Sequence, residues 1–548
     1  MRGEANVAQA VQVHPDNRLR LRWRGRARFL LGSTEHYGAL LNTAFDYERY
    51  LDTIAADGLT LTRAFTFYRE LADSLGPELG YANPLAPRPQ HYLAPWARSP
   101  ASGNPGPDGL PKFDLDTWDE RYFVRLRRFL AAAQTRGVVV ELVLFCNAYD
   151  EARWRHLPLH PASNVNGVGT GMAAPRDFGS LADRSVVEHQ RRLVRKLVAE
   201  TNEFDNLYYE ICNEPGYARD GVPQPEAIRD WQRMLIEALR EAERPLPNRH
   251  LVAVNPHLLL PVREPDSPAE VRVAVLDDGF YRHDPQVDLL NVHYLSQRLP
   301  REGLHHAYPS GARPRAPAYR FGQIAPFVAL RAAAGQPIGF DEDYSGIVHG
   351  QPPRPAQKRM EAWESLLGGC ATYDHLDFTF TTDDPTGAAA GAIPGGLPRE
   401  WLDGRALRRQ FSHVAAYAAG LDLAALWPDL LLVQQAPWQV GAVAARTANT
   451  GGGAREQVLI YLADLRRMED GFGSSALGGP LLVGGGPPGA RYAVRALDPK
   501  SGAWSGLPAV AAGGRGDLRL DVPPYWEDVL LHLDRLASGD EVGTSAPE

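Results

Sequence analysis

The feature that most constrains this chain is a two-part unit that recurs along its first 420 residues. Short apolar, β-prone runs occupy residues 29–33, 59–65, 138–145, 207–214, 251–255, 288–295, 337–342 and 375–381. Helical periods follow at 47–56, 118–134, 186–201, 226–243, 324–334, 357–367 and 407–419, and the stretch after the fifth run is ambiguous. Apolar strands alternating with amphipathic helices form a parallel sheet sheathed by those helices. Eight units predict an α/β fold, a (β/α)8 TIM barrel with insertions. A doubly wound open sheet is the alternative, but no GxGxxG or GxxxxGK[ST] turn follows the early strands.

The flanks read differently. Residues 18–23 and 27–32 surround a WRGRAR turn and predict a hairpin. Beyond residue 426 the runs VGAVAART, QVLIYLADL, ARYAVRALD and VLLHLD alternate with Gly-rich spacers, as in a small all-β sandwich. The expected division is a leader and hairpin at 1–28, a barrel at 29–425 and a C-terminal β-sandwich domain at 426–548. Helix-to-strand connections are short, whereas strand-to-helix connections (76–116, 147–183, 296–323, 383–404) are long and hold much of the 52 Gly and 45 Pro. Barrel enzymes build their sites from those strand-to-helix loops, so the asymmetry points to an elaborated cleft on one face.

Composition excludes several classes. A net charge of −8 argues against nucleic acid or an anionic membrane as the main partner. No uncharged apolar stretch approaches the length of a membrane span. Three cysteines, Cys146, Cys212 and Cys370, lack zinc-site spacing and read as buried thiols. The first residues hold no apolar core of roughly 7–15 residues, so the expectation is a cytoplasmic chain, or a secreted one if the start lies upstream. Oligomeric state is not legible.

Two carboxylates stand out by position. Glu214 ends the fourth run in ICNEPGY and Glu342 ends the seventh in IGFDEDYSG. Strands four and seven lie across an eight-membered ring, so the two glutamates can face each other at its mouth. By alternation Cys212 shares a face with Glu214, and Ile338 and Phe340 share one with Glu342, the apolar members filling the barrel. Asp341 and Asp343 then point away, and Glu210 reads as a buried, paired structural carboxylate. Paired carboxylates flanking a bond are what glycoside hydrolysis requires, one donating a proton and one attacking.

The runs LYYEICNEP, NVHY and PIGFDE, in that order, resemble the clan A retaining glycoside hydrolases over residues 25–420. That resemblance implies Glu214 as acid/base and Glu342 as nucleophile of a retaining enzyme acting on a carbohydrate, an oligosaccharide or glycoside. It assigns Asn213 to a sugar 2-hydroxyl, His293 and Tyr294 to the site lining, and Arg63 in LTLTRAF to the neighbourhood of the nucleophile, where a plain ion-pair role is the alternative. A narrower resemblance, carried by RLRWRGRARFLLGSTEHY, HLDFTFTTDD and YAVRALDPKSGAWSG, is to apiosidase-like, cellulase-related bacterial hydrolases with a small C-terminal β domain. Where such relatives carry Trp on strand eight, this chain has Phe378 and Phe380, and Phe380 stands as the candidate contact. Specificity can then rest on loop aromatics such as Trp96, Tyr149, Trp154 or Tyr344. Glu35, His36 and Tyr37, leaving strand one, and Asn147, leaving strand three, either line the pocket or cap the barrel. His305 and His306 in a Pro-rich loop read as solvated surface. No cofactor or metal is expected. A non-catalytic carbohydrate-binding barrel and a metal-dependent hydrolase are the competing readings, the latter weakened by the lack of HxH on strand one.

Overall fold

The computed structural model describes residues 10–71, 83–101, 103–215, 225–256, 284–293, 321–322, 324–332, 335–343, 355–388, 404–437, 439–447, 456–465 and 475–537. Eight parallel strands close a barrel in chain order: β1 (Leu30–Thr34), β2 (Leu61–Phe65), β3 (Val139–Cys146), β4 (Leu207–Asn213), β5 (Val252–Val254), β6 (Leu289–His293), β7 (Ile338–Glu342) and β8 (Thr372–Leu376). The helices α1 (Tyr47–Ala56), α2 (Glu120–Thr135), α3 (Arg184–Thr201), α4 (Pro225–Glu243), α5 (Ile324–Ala332), α6 (Pro355–Gly368) and α7 (Gly404–Ala419) alternate with them. No helix among the described residues is long and apolar enough to cross a membrane.

Helix ends follow local chemistry. Asp46, Asp119 and Asp183 cap α1, α2 and α3 by accepting backbone N–H groups of the first turn. Gly58 and Gly137 end α1 and α2 in the left-handed region, at φ 75° and 72°. The N–H groups of Leu59 and Val138 reach back to the carbonyls of Ile54 and Ala133, a closure that feeds the chain directly into β2 and β3.

The barrel interior is layered. At its floor Leu30, Leu61, Val139, Tyr208, Ala253, Leu289 and Ala371 pack with Val11, Leu21 and Trp23 of the leader. The leader's hairpin turns through Arg24 and Gly25, both at positive φ, as a two-residue hairpin turn requires. Asn17 donates from its amide to the carbonyls of Leu423 and Leu426, and Arg20 from its guanidinium to those of Leu366 and Cys370. The leader is therefore the barrel's plug.

Above the floor the interior is polar, contrary to the expected apolar filling. Arg63 lies 2.7 Å from Glu210, 3.3 Å from Asp341 and 3.6 Å from Glu141, all four at most 1% exposed. The pairing of Glu210 agrees with its reading as structural. Burial, with Asp341 and Glu210 nearby, pushes the Glu141 carboxyl well up, and the Tyr208 hydroxyl donates to it at 2.8 Å. A neutral acid among charged neighbours lowers the number of ions this layer must hold out of water.

Two expectations about strands are corrected. On β7, Gly339 and Asp341 face inward, while Phe340 faces outward against Tyr373 at 5.3 Å between ring centres. The register explains why Glu342 nevertheless turns inward. Asn291 pairs with Gly339 but His293 pairs with Glu342, so β7 carries one extra residue there. Such a bulge re-aims the side chain that follows it. Asp343 points out, to Lys358 at 2.6 Å and His375 at 2.9 Å. The eighth strand is Thr372–Leu376 rather than 375–381. Phe378 and Phe380 follow its end in a turn, so their alternation with polar neighbours did not mark a strand.

Among the described residues the C-terminal part holds nine strands: β9 (Leu426–Pro428), β10 (Val433–Gln435), β11 (Val440–Thr447), β12 (Gln457–Asp464), β13 (Leu477–Val483), β14 (Arg491–Leu497), β15 (Trp504–Ala511), β16 (Leu518–Tyr525) and β17 (Asp528–Arg535). They form a six-stranded sheet, β9-β11-β12-β17-β14-β15, and a three-stranded sheet, β10-β13-β16, around a shared apolar core. This domain is bound to the barrel by buried chemistry. Arg359 of α6 clasps Asp528 at 2.7 and 2.8 Å, and Trp363 stacks on Tyr461 at 5.8 Å.

Candidate active site

The ends of β4, β6 and β7 bring three side chains together. His293 Nδ1 lies 3.0 Å from Glu214 Oε1 and 2.8 Å from Glu342 Oε2. One ligand-type atom from each of the three lies within 4.8 Å of the others. Glu214 is the most open, at 14% exposure against 6% for Glu342 and 1% for His293.

Two tyrosines complete the pair, one from each side. The Tyr37 hydroxyl, from the loop after β1, donates to Glu342 Oε1. The Tyr149 hydroxyl, from the loop after β3, donates to Glu214 Oε2 at 2.9 Å. Tyr37, Tyr149 and Glu214 all have positive φ (61°, 27° and 45°), three of the five non-glycine residues in that region among those described. Strain of this kind persists where the surroundings over-determine it, and it clusters at functional sites.

The electrostatics separate the groups. Burial opposes charge on His293, but Asp341 and Glu342 outweigh it and hold the imidazole well above its usual pKa. Burial likewise pushes Glu342 up, yet the imidazolium, Arg63 and the Tyr37 hydroxyl together bring its carboxyl well below the usual range. Glu342 is thus an ionised carboxylate held by donors, in the mouth of a barrel. Glu214–His293–Glu342 and, deeper, Glu210–His293–Asp341 have the composition of metal ligand sets. Both share His293.

The other sequence candidates fall as follows. Asn213 is 1% exposed, with Oδ1 accepting from Arg63 at 2.8 Å and Nδ2 donating to Tyr149 at 2.8 Å, so its amide orients neighbours instead of opening to the cleft. Arg63 binds Glu210, Asp341 and Asn213 beneath the pair, the ion-pair alternative. Glu35 is fully buried and caps its loop, accepting from the N–H groups of Gly38 at 2.6 Å and Ala39 at 2.9 Å; burial pushes it up to about 7. As a substrate contact it is corrected to a structural cap. His36 packs edge-on to Tyr37 and Phe378 at 4.5 and 4.7 Å, and burial lowers its pKa to about 3, leaving it neutral. The backbone N–H of Asn147 donates to the Asn213 carbonyl at 3.1 Å, continuing the β3–β4 ladder beside the site. Phe380 is corrected as well: it is fully buried against Tyr50 at 4.8 Å and beneath Arg408 at 4.6 Å, so it offers no stacking face. Trp96 and Trp154 are buried too. Tyr294, His305, His306 and Tyr344 lie outside the described residues.

No protein-family model matches the chain, and no curated protein sequence matches it. Solved structures do. A glycoside hydrolase family 5 protein from Bacteroides vulgatus ATCC 8482 superposes with a TM-score of 0.56 at 13% identity, over 98% of this chain and 96% of its own. A structure described as a glycoside hydrolase gives 0.55 at 12% identity, over 96% and 97%. The fold is shared with glycoside hydrolases. The superposition runs through the barrel and the β domain together, since almost the whole of both chains is covered.

Proposed function

We propose that the chain is a retaining glycoside hydrolase, with Glu342 as nucleophile and Glu214 as acid/base. The observation that carries this reading is the proximity of the two carboxylates, whose nearest oxygens lie within 4.8 Å at the ends of β4 and β7. Retaining enzymes hold the two carboxyl groups about 5–5.5 Å apart, whereas inverting ones need roughly 6.5–9.5 Å to admit a water. The shared fold of the named hydrolases supports the same class.

In this mechanism Glu342 attacks the anomeric carbon as Glu214 delivers its proton to the leaving oxygen, and the glycosidic bond breaks. Glu214, now a carboxylate, takes a proton from water, which attacks the glycosyl–Glu342 ester and releases the sugar with its configuration kept. His293, 2.8 Å from Glu342, holds the nucleophile as a carboxylate. A screen of aryl glycosides, with the first-formed product anomer followed by NMR, tests the proposal. Retention supports it. An inverted product, or no cleavage of any glycoside, overturns it.

Tyr37 supplies a second test. Tyr37→Phe removes a donor that favours the ionised form of Glu342, so the carboxyl pKa rises. The acid limb of the kcat/KM profile is then expected to move to higher pH, with a loss of about tenfold at the optimum. An unmoved limb would separate Tyr37 from the nucleophile.

A further inference from the structure

Where the β domain meets α7, the two surfaces do not close. They leave a cavity of about 320 Å³ lined by His413, Tyr417 and Leu421 from the helix side and by Arg495, Trp504 and His532 from the sheet side. The segment after α7 leads to Leu423 and Leu426, which the leader's Asn17 binds at the plugged end of the barrel. The cavity therefore lies toward the floor, away from Glu214 and Glu342.

Its wall has a specific chemistry. Trp504 is 38% exposed, with the Tyr417 ring tilted toward it at 6.0 Å and the His532 ring edge-on at 6.2 Å. A network fixes those rings. The Tyr417 hydroxyl and His532 Nδ1 are 2.8 Å apart, His532 Nε2 lies 3.1 Å from Asp534, and Asp534 also accepts from Arg495 at 3.1 Å and Gln457 at 3.0 Å. Gly502, at φ 76°, lets its backbone pass so near His413 that a Cβ there would meet the ring at 2.8 Å. Hydrogen-bonding capacity is left over. Among the described residues Trp504 Nε1, His413 Nε2 and the Nε and Nη1 of Arg495 have no partner.

Arg495 lines the cavity paired with Asp534, and its guanidinium carbon lies 4.9 Å from the centre of the Trp504 ring. The exposed part of the Trp504 ring suits the C–H face of a pyranose or furanose, and unspent N–H groups suit its hydroxyls. We propose that this cavity is a second carbohydrate site, which binds a neutral saccharide unit of a polymer without cleaving it. It stands whether or not Glu214 and Glu342 perform hydrolysis.

Native gels cast with galactomannan, xyloglucan, arabinogalactan or dextran test it, using the full chain with Glu342→Gln so that the polymer survives. At least one polymer is expected to retard the chain, and Trp504→Ala to weaken that retardation about tenfold. In the otherwise unaltered chain, Trp504→Ala is expected to leave turnover of a small aryl glycoside unchanged. No retardation by any polymer, equal retardation of Trp504→Ala, or loss of aryl-glycoside turnover overturns the site. If Trp504→Ala fails to melt cooperatively, His413→Ala decides, weakened retardation supporting the site and unchanged retardation overturning it. Polymer cleavage by the Glu342→Gln chain would count against the assigned nucleophile and not against this cavity.

Discussion

Glu342→Gln is expected to lower kcat/KM for an aryl glycoside by roughly ten-thousandfold or more, because the attacking group is lost outright. Glutamine keeps the volume and one oxygen that accepts from His293, while its NH2 can donate to the Tyr37 hydroxyl, so the fold has no reason to fail. The variant's melting temperature should therefore stay near that of the parent, and initial rates give the loss. Asp341 cannot take over, since it is fully buried beneath Arg63 and His293. Activity above one part in a hundred would mean that Glu342 is not the nucleophile.

Glu214→Ala should distinguish an acid/base from a carboxylate that only binds. With a poor leaving group the rate is expected to fall roughly 100- to 10,000-fold, because bond cleavage then needs a proton. A dinitrophenyl leaving group needs none, so formation of the glycosyl-enzyme should be nearly spared while its hydrolysis slows. Added azide, which attacks without a base, should restore turnover and give a glycosyl azide of retained configuration. Equal losses for good and poor leaving groups, without azide rescue, would remove Glu214 from that role. The strained Glu214 backbone adds a reason to expect a narrow tolerance here, since φ 45° suits alanine no better than glutamate.

Much of the barrel was legible because its signal is repetitive. The sequence pattern placed α1 at 47–56, where it is found, and α4 within one residue. The eighth strand was misread because Phe378 and Phe380 alternate with polar residues without belonging to it; buried Thr372 and Tyr373 do. Glu214 and Glu342 could be brought together from their positions at strand ends, and His293 was placed beside them by the family resemblance. Asp341 could not be placed, since a bulge is a property of the β6–β7 register and has no local marker. Tyr37 and Tyr149 sit in loops whose course depends on tertiary packing, and both occupy conformations that tyrosine rarely adopts. Pairing could be read for Glu210 and, as an alternative, for Arg63, but which charges meet was hidden for a related reason. Arg63, Glu141 and Glu210 each look like an isolated charge in an apolar run until the barrel closes around them.

The plug that seals the barrel floor also ties its opposite ends in time. Asn17 holds carbonyls 406 and 409 residues away, and Arg20 holds carbonyls 346 and 350 residues away. These leader residues are therefore made long before they are satisfied, since the carbonyls that Asn17 and Arg20 hold do not exist until some 350 more residues have been synthesised. Until then the floor that Val11, Leu21 and Trp23 cover lacks Ala371, and β1 has no β8 beside it. Contacts this distant carry a large loop-closure cost before they yield any stability. Folding of this chain should accordingly be slow, late and prone to association when unfinished chains are crowded together.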